Sequence, residues 1–234
     1  MAMTCLQIIQ SACKRIGIAS PNFVVTSQDI QILQLLEIAN EEGQEQSTRY
    51  PWQALQTEAT FTTVAAQVQG ALSTIAPGAN YITNDTIWNR TLRRPVYGPK
   101  SQQDWQQSKA MNINGPFNSY RIISDVINFY PNPVAGQTCA FEYISQNWVT
   151  TTSSTSSTWT ADTDKPKISD QLMILGIIWR WKMVKGFDYS EDFAKYERRM
   201  NDAMGRDGGK TILSLNGGAK YDIQPVIMVP SGSW

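Results

Sequence analysis

Two groups of carboxylates are the strongest chemical candidates in the sequence. Asp162, Asp164 and Asp170 gather ahead of one expected helix, and Asp188, Glu191 and Asp192 ahead of another. Acids at helix starts stabilise the macrodipole, and that reading is preferred for both groups. Asp162-Thr163-Asp164 could begin a calcium site, but the rest of the loop pattern, with its terminal Glu, is absent. Gly208-Gly209-Lys210-Thr211 matches the end of a P-loop, yet the motif's first Gly would fall on Met204 and no strand precedes it. The dinucleotide fingerprint G-x-G-x-x-G does not occur either. There is no histidine, which excludes Ser-His-Asp and Cys-His pairs and removes the commonest zinc ligand. Cys5 and Cys13 fall in one expected helix, about 12 Å apart and too far for a disulfide. With Cys139 they read as small apolar core residues of a chain kept in a reducing compartment. No catalytic residue, metal ligand or cofactor is expected.

The background composition narrows the classes further. The 234 residues contain 20 Lys plus Arg and 20 Asp plus Glu, so no overall field steers the chain toward nucleic acid or an anionic membrane. Charged residues are only 17%, and Gln, Asn, Ser and Thr fill the gap. The length suits one large domain or two small ones. Arg93-Arg94, Lys165 with Lys167, Arg180 with Lys182 and Lys185, and Arg198-Arg199 are dispersed and offset by acids, as in a solvated or interface face. Trp88, Trp179 and Trp181 invite a stacking role, but their apolar spacing favours core. The longest apolar run, Leu172 to Val184, is interrupted by Arg180 and Lys182 and is too short for a membrane span. The first residues are helically spaced and broken by Gln7, Gln10, Lys14 and Arg15, unlike a signal peptide. A soluble protein made in the cytoplasm is expected.

Periodicity then places the elements that carry these residues. Thr4 and Gln7 form a capping box for a helix from Cys5 to Ile16, stopped by Gly17. A second helix runs from about Gln28 to Thr48, capped by Thr26 or Ser27. Its apolar stripe dies after Ala39, so the outer half is solvated or packed on a polar neighbour. Alternation begins near Leu55 and continues to Thr63. Ile87 to Arg90 starts another strand, and Ser101 with Asp104 caps a short helix from Gln102 to about Met111. Tyr120–Ser124, Val126–Tyr130 and Thr138–Trp148 look like a meander, with Ser124-Asp125 and Pro131-Asn132-Pro133 as turns. Nine Ser or Thr follow from Thr150 to Thr158 and read as a flexible loop or hairpin tip. Helices resume from Ile168 to Gly186 and, after a capping box of Asp188 with Glu191, to about Arg206 with Phe193, Tyr196, Met200 and Met204 on one side. The remainder has glycines and prolines that break any helix, but also Ile212, Leu213, Leu215, Tyr221, Ile223, Val226, Ile227 and Val229 in short runs. An extended arm that pairs with a strand edge or groove of a partner accounts for both.

The expected fold class is α+β: a four-helix bundle built from both chain ends, with a β-rich insertion and an extended C-terminal arm. No one of the four long helices has enough apolar surface to stand alone. The divisions are residues 1–50 with 167–207 for the bundle, 51–166 for the insertion, and 208–234 for the arm.

This order of elements resembles the head-to-tail adaptor proteins of short-tailed bacteriophages, of the tail tubular protein A and tail accessory factor type. The likeness lies in Lys14-Arg15-Ile16-Gly17-Ile18 closing the first helix and in Trp52 followed by strands. It continues in Val126-Ile127-Asn128-Phe129-Tyr130-Pro131-Asn132-Pro133 with Phe141-Glu142-Tyr143, and in the helices bearing Trp179, Trp181 and Phe193 to Met204. It is one of layout over most of the chain, and the Ser/Thr run departs from it. The resemblance implies a homo-oligomeric ring of about a dozen copies at the head-tail junction of the virion. That ring lies under the portal protein ring, receives the tail hub or nozzle protein, and extends the channel through which viral DNA passes without specific binding. It implies no membrane partner. The apolar residues of the arm would contact the portal ring. Two other classes stay open: a tail-associated carbohydrate-binding β-module, favoured by 8 Trp and the Ser/Thr loop, and a histidine-free wall hydrolase.

Overall fold

The computed structural model describes residues 2–112 and 115–208. The fold is mixed α+β, with six helices and several sheets among the described residues. Helix α1 (Cys5–Ile16) carries the expected capping box, Thr4 with Gln7, and ends on Gly17 at φ 85°. That left-handed conformation is one glycine adopts without steric cost. Helix α2 (Ile30–Arg49) starts later than expected. Its cap is Asp29, whose carboxylate accepts the Gln31 N–H at 2.9 Å, rather than Thr26 or Ser27. Helices α5 (Asp170–Lys185) and α6 (Ser190–Asp207) close the described chain. The expected Asp188–Glu191 box does not form. The Asp188 carboxylate instead accepts from the Ser190 amide and hydroxyl, two residues on.

Helix α5 is the hub, and α1, α2 and α6 each pack against it. The reason is its sequence: Leu172 to Trp179 are all buried, so it is apolar nearly all round. The core around it takes Ile8, Ile9, Leu35, Ile177, Tyr196 and Met200 from the helices. It also receives Trp52, Leu55, Ile144, Trp148, Val149 and Trp159 from the segment between them.

A second cluster holds Ile87, Tyr120, Ile127, Phe129, Phe141 and Tyr143. Around it lie two sheets. In the first, β8 (Thr138–Ser145) pairs antiparallel with β1 (Gln56–Thr62) from Gln56↔Ile144 to Thr62↔Thr138. Its other edge takes β3 (Ala79–Ile82) and β4 (Trp88–Asn89), and β4 takes β5 (Arg94–Pro95). In the second sheet β7 (Val126–Tyr130) lies between β2 (Val68–Ala71) and β6 (Ser119–Ile123). The expected three-strand meander is therefore split: β6 and β7 pair, but β8 belongs to the other sheet. The β6–β7 turn does form at Ser124-Asp125, with φ 49° and 64° at the two positions, the left-handed pair that a two-residue hairpin loop requires. The expected helix after Ser101 is α4 (Gln102–Ala110). A four-residue α3 (Leu72–Ile75) and a 3-10 turn (Gln53–Leu55) went unanticipated, being too short to show periodicity. Within the Ser/Thr run, β10 (Thr155–Ser156) folds back on β9 (Val149–Thr150), which also pairs β11 (Lys165–Pro166). The run is a hairpin tip.

Candidate interaction surfaces

Five of the six carboxylates singled out by sequence, all but the exposed Glu191, bind the chain to itself. Asp162 accepts the Val24 and Val25 amides at 2.9–3.1 Å, fixing the loop between α1 and α2. Asp164 is 1% exposed and accepts from the Thr160 amide and hydroxyl and the Ala161 amide. Asp170 accepts the Met3 amide at 2.8 Å. Backbone bonds from Cys5 and Leu6 to the carbonyls of Asp164 and Asp162 complete the tie. The start of the chain is thus sewn to the segment that precedes α5. Asp192 pairs with Lys182 between α6 and α5. Burial pushes the Cys5 thiol up to about 12, helped by the charges of Asp162 and Asp164, and burial alone pushes Cys139 up to about 11. All three cysteines are free and buried.

The polar half of α2 has a polar neighbour, and it is buried. Glu42 is fully buried and accepts from Arg180 Nε at 2.6 Å and from Gln46 Nε2 at 2.5 Å. Glu45 takes the same guanidinium from the rim. Burial works against the charge on Arg180, but the two carboxylates outweigh it and raise its pKa. Burial and then the charge of Glu42 push the neighbouring Tyr196 hydroxyl up. Close approach is permitted by Gly176, where a Cβ would lie 2.1 Å from the Glu42 carboxyl carbon. Gly43 likewise makes room for the Trp148 ring, at 2.1 Å. Sequence reading missed this seam. The signal was present: Leu35, Ala39, Glu42 and Gln46 continue one helical stripe whose chemistry changes from apolar to polar.

Of the tryptophans described, Trp52, Trp105, Trp148, Trp159, Trp179 and Trp181 are buried, and Trp88 is 38% exposed. Trp179 and Trp181 thus meet the core expectation and Trp88 does not. It lies on the open face of the first sheet beside Glu58, Arg90 and Glu142, and Arg90 pairs with Glu58 at 2.8 Å. The aromatic surface that favoured a sugar-binding module is, among the described residues, mostly interior.

The outward faces of the flanking helices differ in character. On α2 the exposed side carries Ile30, Leu33, Glu37, Glu41, Gln44 and Glu45, with no cation before Arg49. On α6 it carries Lys195, Arg198, Arg199 and Arg206 against Glu191 and Asp202. The contacts Lys185–Gln34 and Arg180–Glu42 set α2 antiparallel to α5. Lys182–Asp192 and Trp179–Tyr196 set α6 antiparallel to α5 as well. Helices α2 and α6 therefore run the same way. At the shared end, where α2 starts and α6 begins, Ile30 is 72% and Phe187 62% exposed.

The interface residues predicted for the arm, Ile212, Leu213, Leu215, Tyr221, Ile223, Val226, Ile227 and Val229, lie outside the described residues, as do Lys210 and Thr211. Among the described residues no helix is long and apolar enough to cross a membrane.

Residues 3–219 match the model of the SU10 adaptor protein family, and the chain belongs to that family of bacteriophage adaptors, structural proteins of the virion. No curated protein matches it significantly.

Proposed function

We propose that the protein forms the head-to-tail adaptor ring beneath the portal, extends the DNA channel and receives the tail hub. The observation that carries this reading is the family match over residues 3–219. Copies made in the host cytoplasm assemble into a closed ring, with a dozen as the number the resemblance implies. The helices from both chain ends act as a four-helix bundle, residues 1–50 with 167–207, and residues 51–166 act as the β-rich insertion. The equal count of acids and bases, 20 each, supports a channel past which DNA slides without sticking. No catalytic step is assigned to the chain, because the family it matches is one of structural adaptors.

Residues 208–234 serve as an extended arm that docks on the portal ring through the apolar residues from Ile212 to Val229. Removal of residues 210–234 should leave the melting temperature nearly unchanged and abolish co-sedimentation with the purified portal ring. A truncated protein that melts far lower would assign the arm to its own core. One that still binds portal would remove the arm from the interface.

A further inference from the structure

We infer that neighbouring copies meet through the outward face of α2 on one copy and that of α6 on the next. This rests on the ring reading above and names the surfaces that would build it. A closed ring needs a heterologous contact, in which two different patches of the same chain complement each other. The two faces complement each other in two independent ways. The α2 face is acidic at Glu37 and Glu41, and among the described residues neither is in an ion pair. The α6 face is cationic at Lys195 and Arg199, both exposed and outside every ion pair found among the described residues.

The second match is apolar and sits at the same end of both helices. Ile30 and Leu33 are 72% and 39% exposed at the start of α2. Phe187 and Tyr189 are 62% and 39% exposed just before α6. Helices α2 and α6 run parallel within one copy, so rotation about a ring axis along them lays the next copy's α6 parallel to α2. The apolar ends then coincide, and the acidic and basic stretches follow in the same order. Water leaves the apolar end, while the charged rows fix register and discourage a two-fold pairing of like faces. The occupant of the α2 face is thus a second copy of this chain.

The test is sedimentation velocity of the full chain at rising concentration in low salt. The unmodified protein should associate reversibly. Glu37→Lys with Glu41→Lys should weaken association about tenfold, as should Lys195→Glu with Arg199→Glu, since attraction becomes repulsion at two rim sites. Combining all four changes in one chain should restore it. Each change is on an exposed position, and an unaltered thermal melt confirms the fold. Absence of association at every concentration, or no recovery in the fourfold variant, overturns the inference. Portal binding reports on the other reading separately: a chain that binds portal but never self-associates through these faces sinks this inference and leaves the adaptor assignment standing.

Discussion

The two hydrophobic cores are closed by different chemistry. The cluster under the sheets is sealed by aromatic edges, Phe61 against Phe129 at 5.9 Å and against Phe141 at 6.1 Å. The cluster around α5 takes in an ion pair, Glu42 with Arg180, and two glycines that let side chains approach helix backbones. An aromatic core answers a truncation with a void, at the cost of the lost packing. A buried ion pair fails differently, because removing one partner strands a charge out of water. The two cores therefore fail by different mechanisms, and only the ionic one can be relieved by replacing both partners.

The sharpest way to break this contrast is at the seam. Arg180→Ala should destabilise by about 3–5 kcal/mol in urea unfolding, because Glu42 is left buried and unpaired. Glu42→Leu combined with Arg180→Met should recover most of that loss, since an apolar pair of similar volume is often neutral. Phe129→Ala in the other core should cost about 3–5 kcal/mol as a cavity, with no such rescue. Hydrogen exchange locates each lesion. Protection should fall first in α2 and α5 for Arg180→Ala, and first in β2, β6 and β7 for Phe129→Ala. Equal loss everywhere in both variants would mean that the two cores open as one unit.

A smaller effect is expected where the helices accept the loop that follows β8. Gly43→Ala should cost about 1–3 kcal/mol by driving a methyl into the Trp148 ring. Quenching of tryptophan fluorescence should change with it. An unchanged stability would show that the indole is free to shift.

The smallest effect is at the rim. Arg49 pairs with Glu197 at 2.5 Å, with both side chains more than a quarter exposed. The hydrogen bond to Arg49 lowers the Glu197 pKa. A carboxyl depressed in the folded state adds stability above its ordinary range, and that stability is lost as pH falls through the folded value. Exposure limits the contribution to about 0–1 kcal/mol. Between pH 7 and pH 3 the gap between the native protein and Glu197→Gln should shrink toward zero. A gap that holds at acid pH would rule out the charge as its source.

Local signals were legible and pairings were not. The capping box at Thr4, the stop at Gly17, the Ser124-Asp125 turn and the Ser101 cap are written in adjacent residues, and each is found as read. Strand partners are set by distant segments, so β8 was grouped with its sequence neighbours although its partners are β1, β3 and β4. The fading stripe on α2 left two readings open, a solvated half or a polar neighbour, and Glu42 with Arg180 supplies the second. Naming Arg180 required knowing that α2 and α5 lie side by side. The surfaces proposed to join copies are visible only once exposed residues are separated from buried ones. Glu37 and Glu42 are both acids on one helix, and the structure turns one outward and the other into the core.

The stitching of the first residues to Asp162, Asp164 and Asp170 has a consequence in time. The Met3 amide and its acceptor on Asp170 are 167 positions apart. At about 5–20 residues per second, the ribosome needs on the order of ten seconds or more to deliver that partner. Until then α1 has emerged with Ile8 and Ile9 facing nothing, and the hub it must join has not been synthesised. The helical core can condense only after translation has passed residue 185, so the nascent chain is at its most adhesive for most of its own birth. A host chaperone would find its best opportunity in that interval.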